Sequence, residues 1–248
     1  MSGHSKWASI KHKKGLADAK RGQAFTKLIR EITVAARHGG GDPNANPRLR
    51  LVMEKAREAN MPKDNVEKAI KRGTGELEGV TYEEVTYEAY GPGGVAMYIE
   101  ALTDNKNRTT AEVRNLLTKR GGNMAGAGAT AWLFHKKGYL LVEKTAAEEE
   151  RLMNTVLEAG AEDLKTEGTV FEVTTDPKVF EAVKAALGAA KIPTTSAEIT
   201  MLPMTTVRVS GTEAKQMLGL VESLEEQDDV QHVYANFDIP DEILAESA

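Results

Sequence analysis

The apolar residues of this chain change their spacing once, at the glycine-rich stretch Gly73 to Gly79, and that change limits what can fold on either side of it. Before it, Phe25, Leu28, Ile29, Ile32, Ala35 and Ala36 recur three and four apart, which puts them on one face of a helix. Gly39, Gly40 and Gly41 stop that helix. Asn46 as N-cap and Pro47 at the first helical position announce a second, with Leu51, Val52, Lys55, Ala56 and Ala59 along one side and an end at Asn60. Pro62 opens a third, carrying Val66, Ala69 and Ile70, which Gly73 closes. Residues 1–76 therefore read as a basic arm and three-helix module, and Gly73 to Gly79 as a linker.

Beyond the linker the period is two. Val85, Tyr87 and Ala89 alternate with polar neighbours, Gly91-Pro92-Gly93-Gly94 turns the chain, and Val95, Met97, Ile99 and Ala101 alternate again, as in a hairpin. A helix bearing Val113, Leu116 and Leu117 runs on to Gly121, and Ala129 to Phe134 reads as a further strand. Next come a strand at Tyr139 to Val142, a helix at Arg151 to Ala159, strands at Asp163 to Lys165 and Thr169 to Thr174, a helix at Lys178 to Leu187 and a strand at Ala197 to Leu202. That order, β-α-β-β-α-β, is the ferredoxin-like pattern. Thr206 to Val209, Ala214 to Leu224 and Val230 to Phe237 then supply strand, helix and strand, too few for a domain of their own. They are expected to return to the sheet begun at Thr81. The fold class is α plus α+β, a helical module followed by two α/β domains, one a ferredoxin-like unit inserted in the other. The expected domains are 1–76, 80–135 with 204–240, and 136–203.

Charge supplies the first functional signal. The chain of 248 residues has a net charge of −5, but residues 1–76 hold 17 Lys and Arg against 8 Asp and Glu, and the remainder 15 against 29. The first thirty residues are the extreme, with Lys6, Lys11, Lys13, Lys14, Lys20, Arg21, Lys27 and Arg30 against Asp18 alone. Such a cationic segment, with Trp7 among the lysines, has the composition of a phosphate-binding surface: cations release counterions, and an aromatic stacks on an unpaired base. Basic tails are also simply solvated, but the charge here continues past the terminus into a helix at Lys20, Arg21 and Lys27. Trp7 has two readings of equal weight, base stacking and packing onto the helical module. In Thr103-Asp104-Asn105-Lys106-Asn107-Arg108-Thr109, Asn105 either caps the following helix or joins Arg108 in holding a phosphate at the helix N-terminus.

Catalytic signatures are missing. There is no cysteine, hence no disulfide, thiolate site or cysteine nucleophile, and no Gly-Lys dipeptide for a P-loop. His4, His12, His38, His135 and His232 lack zinc-ligand spacing, and the run Gly121 to Gly128 follows a helix where a dinucleotide fingerprint follows a strand. The acidic runs Glu148 to Glu150 and Glu225 to Asp229 read as solvated faces. No catalytic, cofactor or metal residues are expected, and no membrane or small-molecule partner.

Gly3-His4-Ser5-Lys6-Trp7, Ile10-Lys11, Lys13-Lys14, Arg21 to Leu28, Asn60-Met61-Pro62-Lys63-Asp64, Tyr90 to Ala96, Thr103-Asp104-Asn105 with Asn107-Arg108-Thr109, and Asp238-Ile239-Pro240-Asp241-Glu242 together resemble the YebC/PmpR family. Gln23 stands where members often have lysine, and Ala129 to Ala131 replaces a commoner Ser-Val pattern. The resemblance covers nearly the whole chain and implies a three-domain architecture. It implies a regulator of gene expression, described in some members as DNA-binding and in others as acting on ribosomes, including those stalled at proline-rich sequences. The mitochondrial relatives include a translational activator of cytochrome c oxidase subunit I. The expectation is a cytoplasmic, monomeric, non-enzymatic nucleic-acid-binding protein, with ribosomal RNA favoured over DNA. Its candidate contacts are Lys6, Trp7, Lys11, Lys13, Lys14, Lys20, Arg21, Lys27, Asn105 and Arg108.

Overall fold

The computed structural model describes residues 18–240 and 242–244, apart from the side chains of residues 18–20. Helices α1 (Asp18–Gly39), α2 (Pro47–Glu58) and α3 (Lys63–Thr74) form the N-terminal module around Ile32, Ala35, Leu49, Val52, Ala56, Met61 and Ala69. Asn46 caps α2 by accepting the Leu49 N–H at 3.1 Å, and its buried amide also donates to the carbonyls of Ala35 and Gly40 at 2.8 and 2.9 Å. One side chain thus satisfies the start of one helix and the end of another. Gly73 does not close α3, which runs to Thr74 and is terminated by left-handed Gly75 at φ 85°. Gly73 instead lets α3 lie against α1, since a Cβ there would stand 2.4 Å from the Thr33 carbonyl oxygen.

The first α/β domain is built on strands β1 (Glu83–Tyr90) and β2 (Ala96–Thr103), an antiparallel hairpin with Glu83 opposite Thr103 and Tyr90 opposite Ala96. Two-residue β3 (Asn123–Met124) pairs with β1, and β9 (Val230–Ala235) comes back from far along the chain to pair with β2, giving the order β3-β1-β2-β9. Helices α4 (Lys106–Lys119) and α7 (Gly211–Glu225) cover one face. There Tyr87, Met97 and Ile99 meet Val113, Leu117, Met217 and Leu220.

Between β3 and α7 lies the inserted domain, with β4 (Phe134–Glu143), α5 (Glu149–Glu158), β5 (Asp163–Glu167), β6 (Val170–Thr175), α6 (Phe180–Ala189) and β7 (Ser196–Pro203). Its all-antiparallel sheet, β5-β6-β4-β7, places its first and third strands in the middle. Leu140, Val142, Phe171 and Val173 from this sheet pack on Leu152, Val156, Phe180, Val183 and Leu187 from the helices.

Two expected strands differ. Ala129 to Phe134 is not a strand: Ala131–Leu133 is a 3-10 turn and β4 begins at Phe134. The reason is that the amides of Gly128, Thr130 and Ala131 donate to the Glu88 carboxylate, while those of Ala129 and Leu133 close turns on the Gly126 and Thr130 carbonyls instead of joining a ladder. The stretch Val230 to Phe237 is broken at Asn236, whose side chain accepts from the Ala96 amide at 2.7 Å. Only Phe237–Asp238 (β10) continues, pairing in parallel with Val207–Arg208 (β8) as a separate two-stranded sheet.

Candidate nucleic-acid interface

The candidate contacts fall into three groups. Lys6, Trp7, Lys11, Lys13 and Lys14 lie outside the described residues, and Lys20 lies in the first turn of α1 with its side chain outside them. Arg21 is exposed on α1. Lys27, Asn105 and Arg108 are engaged within the molecule. The Lys27 ammonium donates to the Glu225 carbonyl at 2.5 Å, and Asn105 caps α4 by accepting the Arg108 N–H at 3.1 Å. The Arg108 guanidinium donates to Asp104 at 2.7 Å and Asp229 at 2.8 Å.

Asp229 overturns the reading of Glu225 to Asp229 as a solvated face. Its side chain is only 3% exposed. One oxygen accepts from Arg30 at 2.7 Å, and the other from Thr109 at 2.6 Å, Arg108 at 2.8 Å and Thr103 at 3.2 Å. Burial alone would push this carboxyl up, but the Thr109 and Arg108 hydrogen bonds and the charge of Arg30 outweigh it and hold the group below the usual range. Arg108 is correspondingly raised by its hydrogen bonds to Asp229 and Asp104. Along α1, Gln23 donates to the Glu226 carbonyl and to Asp228, and Arg30 donates to the Asp228 carbonyl and lies 5.5 Å over the Tyr82 ring. The cationic flank of α1 is thereby fastened to the turn between α7 and β9. Opposite charge in these two segments was visible in the sequence; that they meet was not.

The cations of α3 are placed differently. Lys63, Lys68, Lys71 and Arg72 are exposed, and none makes an ion pair among the described residues. Their positions in the sequence carried no expectation, because α3 also holds Asp64 and Glu67.

A cavity of about 550 Å³ opens where the three domains meet, lined by Glu31, Arg48, Glu100, Lys136, His232 and Tyr234 among others. Burial raises Glu100, which accepts from Tyr234 at 3.3 Å, and lowers the His232 imidazole to about 4. Ion pairs bridge the domains around it, Arg48 to Glu84 at 2.5 Å and Lys184 to Glu54 at 2.6 Å. No group of three or more His, Asp or Glu among the described residues is arranged to hold a metal ion. No described helix is long and apolar enough to cross a membrane.

The architecture defines a three-domain protein whose helical module concentrates the positive charge and whose α/β body carries the negative. The family model for the TACO1/YebC protein N-terminal domain matches residues 5–76, and that for the TACO1/YebC second and third domain matches residues 82–237. The chain belongs to the TACO1/YebC family. A "Probable transcriptional regulatory protein" of Desulfatibacillum aliphaticivorans is 58% identical over 246 residues, 99% of this chain and 100% of that one. Its namesake in Geobacter sulfurreducens is 59% identical over 242 residues, 98% of each. A conserved hypothetical protein of Aquifex aeolicus, known from a crystal structure, superposes with a TM-score of 0.80 at 49% identity, covering 90% of this chain and 92% of that one. Both curated relatives carry the name of a regulatory protein.

Proposed function

We propose that the protein is a non-enzymatic translation factor that binds ribosomal RNA through its N-terminal module and assists stalled synthesis, for example at proline-rich sequences. The observation that carries this reading is the division of charge: 17 Lys and Arg against 8 Asp and Glu in residues 1–76, and 15 against 29 beyond. Phosphate contacts of this kind give strong, salt-dependent, sequence-blind attraction, which suits a large folded RNA recognised by shape. The net-acidic body would then orient the module on the RNA. Two carboxylates at the cavity between the domains, Glu84 and Glu54, are answered by Arg48 and Lys184, which ties the domains together.

Co-sedimentation with ribosomes, wild type against a Lys11→Glu, Lys13→Glu, Lys14→Glu variant, tests it. Loss of sedimentation in the variant is expected. Equal sedimentation of both, or none by either, would sink the reading.

A DNA-binding transcriptional regulator is the second reading, and two observations favour it. The relatives are named probable transcriptional regulatory proteins. Helices α2 and α3 are joined by the four residues 59–62, a connection length found in helix-turn-helix units, with Lys63, Lys68, Lys71 and Arg72 exposed on the second helix. One promoter site bound a thousandfold or more above random DNA, as in ordinary specific recognition, would establish it.

A further inference from the structure

Within the net-acidic part of the chain, residues 113–142 contain Arg114, Lys119, Arg120, Lys136 and Lys137 and not one Asp or Glu. Arg114, Lys119, Arg120 and Lys136 are exposed, while Lys137 is paired with Glu162 at 2.7 Å. Within this window stands Trp132, 65% exposed, on the 3-10 turn that leads into β4.

The exposure of this indole is built, not accidental. Glu88 on β1 accepts the amides of Gly128, Thr130 and Ala131 at 2.6, 2.6 and 2.7 Å and the Thr130 hydroxyl at 3.3 Å, tying the loop beneath Trp132 into one conformation. Tyr90 donates to the Ala129 carbonyl at 3.2 Å from the other side. The indole N–H donates to that same carbonyl at 3.1 Å, so the ring has its donor satisfied and offers its faces. Gly126 and Gly128 have open space where a side chain would stand, and the 62% exposed Met204 lies next to the turn, its amide bonded to the Leu133 carbonyl at 2.8 Å. The Glu88 carboxylate is consumed by the loop, and the window itself contributes no acidic side chain. A flat partner bordered by negative charge fits this arrangement.

We propose that Trp132 is a stacking platform for an unpaired base of single-stranded RNA, with the cations of residues 113–142 meeting the flanking phosphates. This rests on the nucleic-acid reading above and adds a second contact, on the α/β body and remote in sequence from the basic arm. A base inside a duplex presents no free face, so the platform separates single strands from double-stranded DNA.

The chain has two tryptophans, Trp7 and Trp132, so Trp7→Phe makes Trp132 the sole indole. The full-length Trp7→Phe protein is titrated with an oligouridylate of twelve nucleotides at low salt, following both indole emission and the anisotropy of an end-labelled copy. The expected result is quenching of Trp132 along the same curve as the anisotropy. Trp132→Ala should weaken binding roughly 5- to 100-fold, the effect of losing one stacked base, with Trp132→Tyr retaining most of the affinity. An unchanged melting temperature shows that each variant is folded, and the exposed position of the ring predicts that both are. Binding by anisotropy with unquenched Trp132 and an unaffected Trp132→Ala variant overturns the platform and leaves the nucleic-acid reading standing. Equal quenching by a duplex of the same length overturns the unpaired-base assignment. No binding of the wild-type chain to the oligonucleotide removes the nucleic-acid reading, and the platform with it.

Discussion

Replacing Asp229 by alanine removes one carboxylate that two domains share. Arg30, 13% exposed, loses the one carboxylate it pairs with among the described residues, in a site where its buried Nε has no hydrogen-bond partner among them. Thr103 and Thr109 are buried but keep each other at 2.7 Å, and Arg108 is 43% exposed and keeps Asp104, so these three lose less. A stranded, nearly buried charge such as that of Arg30 costs a few kcal/mol, which puts the expected loss at about 3 to 4 kcal/mol. In a chain of this size that lowers the Tm by about 6 to 16 °C. Asp229→Asn keeps an acceptor for Thr109 while losing the charge, and should cost roughly half as much. Three domains need not melt together, so hydrogen exchange is the sharper assay: faster exchange is expected in α1 and in the first turn of α4, with β4 to β7 unchanged. A double-mutant cycle with Arg30→Ala should show about 2 kcal/mol of coupling. A loss below about 1 kcal/mol for Asp229→Ala, or exchange altered equally in all three domains, would refute the idea that this carboxylate fastens α1 to the body.

Acid adds a signed test of the same contact: the lowered Asp229 pKa contributes stability above the ordinary aspartate value near 3.8 that is lost as pH falls through the folded value, so wild type and Asp229→Asn should converge in strong acid in urea titrations. Glu100 has the opposite sign, being raised by burial, so Glu100→Gln should raise the Tm at pH 8 and lose that advantage as pH falls and the wild-type group takes up its proton. The His232 resonances should titrate near pH 4 by NMR; because an unfolded imidazole takes its proton near 6.5, this residue withdraws stability as pH drops between those values. A midpoint near 6.5 would contradict its placement at the cavity. Gly73→Ala sets a methyl 2.4 Å from the Thr33 carbonyl oxygen, and overpacking of this kind should cost about 1 to 3 kcal/mol in thermal melts followed by helical circular dichroism.

Features written in local spacing were legible in the sequence. The three-and-four recurrence of Ile32 and Ala35, the Asn46-Pro47 start and the alternation around Tyr87 and Ile99 correspond to α1, α2 and the β1-β2 hairpin. The return of the last strand to the first sheet followed from counting elements that had nowhere else to go. What escaped was every pairing between polar groups distant in the chain. Arg30 and Asp229 are 199 residues apart, and neither interrupts a periodic pattern. Asp229 therefore looked like its solvated neighbours, while Lys27 and Arg108 looked available for phosphate. Ala129 to Phe134 looked like a strand because small and aromatic residues suit one; the competitor for its amides, Glu88, lies about forty residues upstream. Trp132 drew no attention for the same reason, since exposure is set by what the loop beneath it is tied to.

The four-stranded sheet also bears on the order in which the chain can fold as it is made. Its strand β2 ends at Thr103, yet its neighbour β9 starts at Val230, with the whole inserted domain between them. At roughly 5–20 residues per second of synthesis, the open edge of β2 waits about 6 to 25 s for its partner. The last strand of the ferredoxin-like unit ends at Pro203, so that unit is complete before Val230 is made. The Asp229 contact that secures α1 arrives one residue ahead of β9. The newborn protein therefore carries its cationic helix without the Asp229 anchor, and one edge of its sheet uncovered, until Asp229 and β9 are in place.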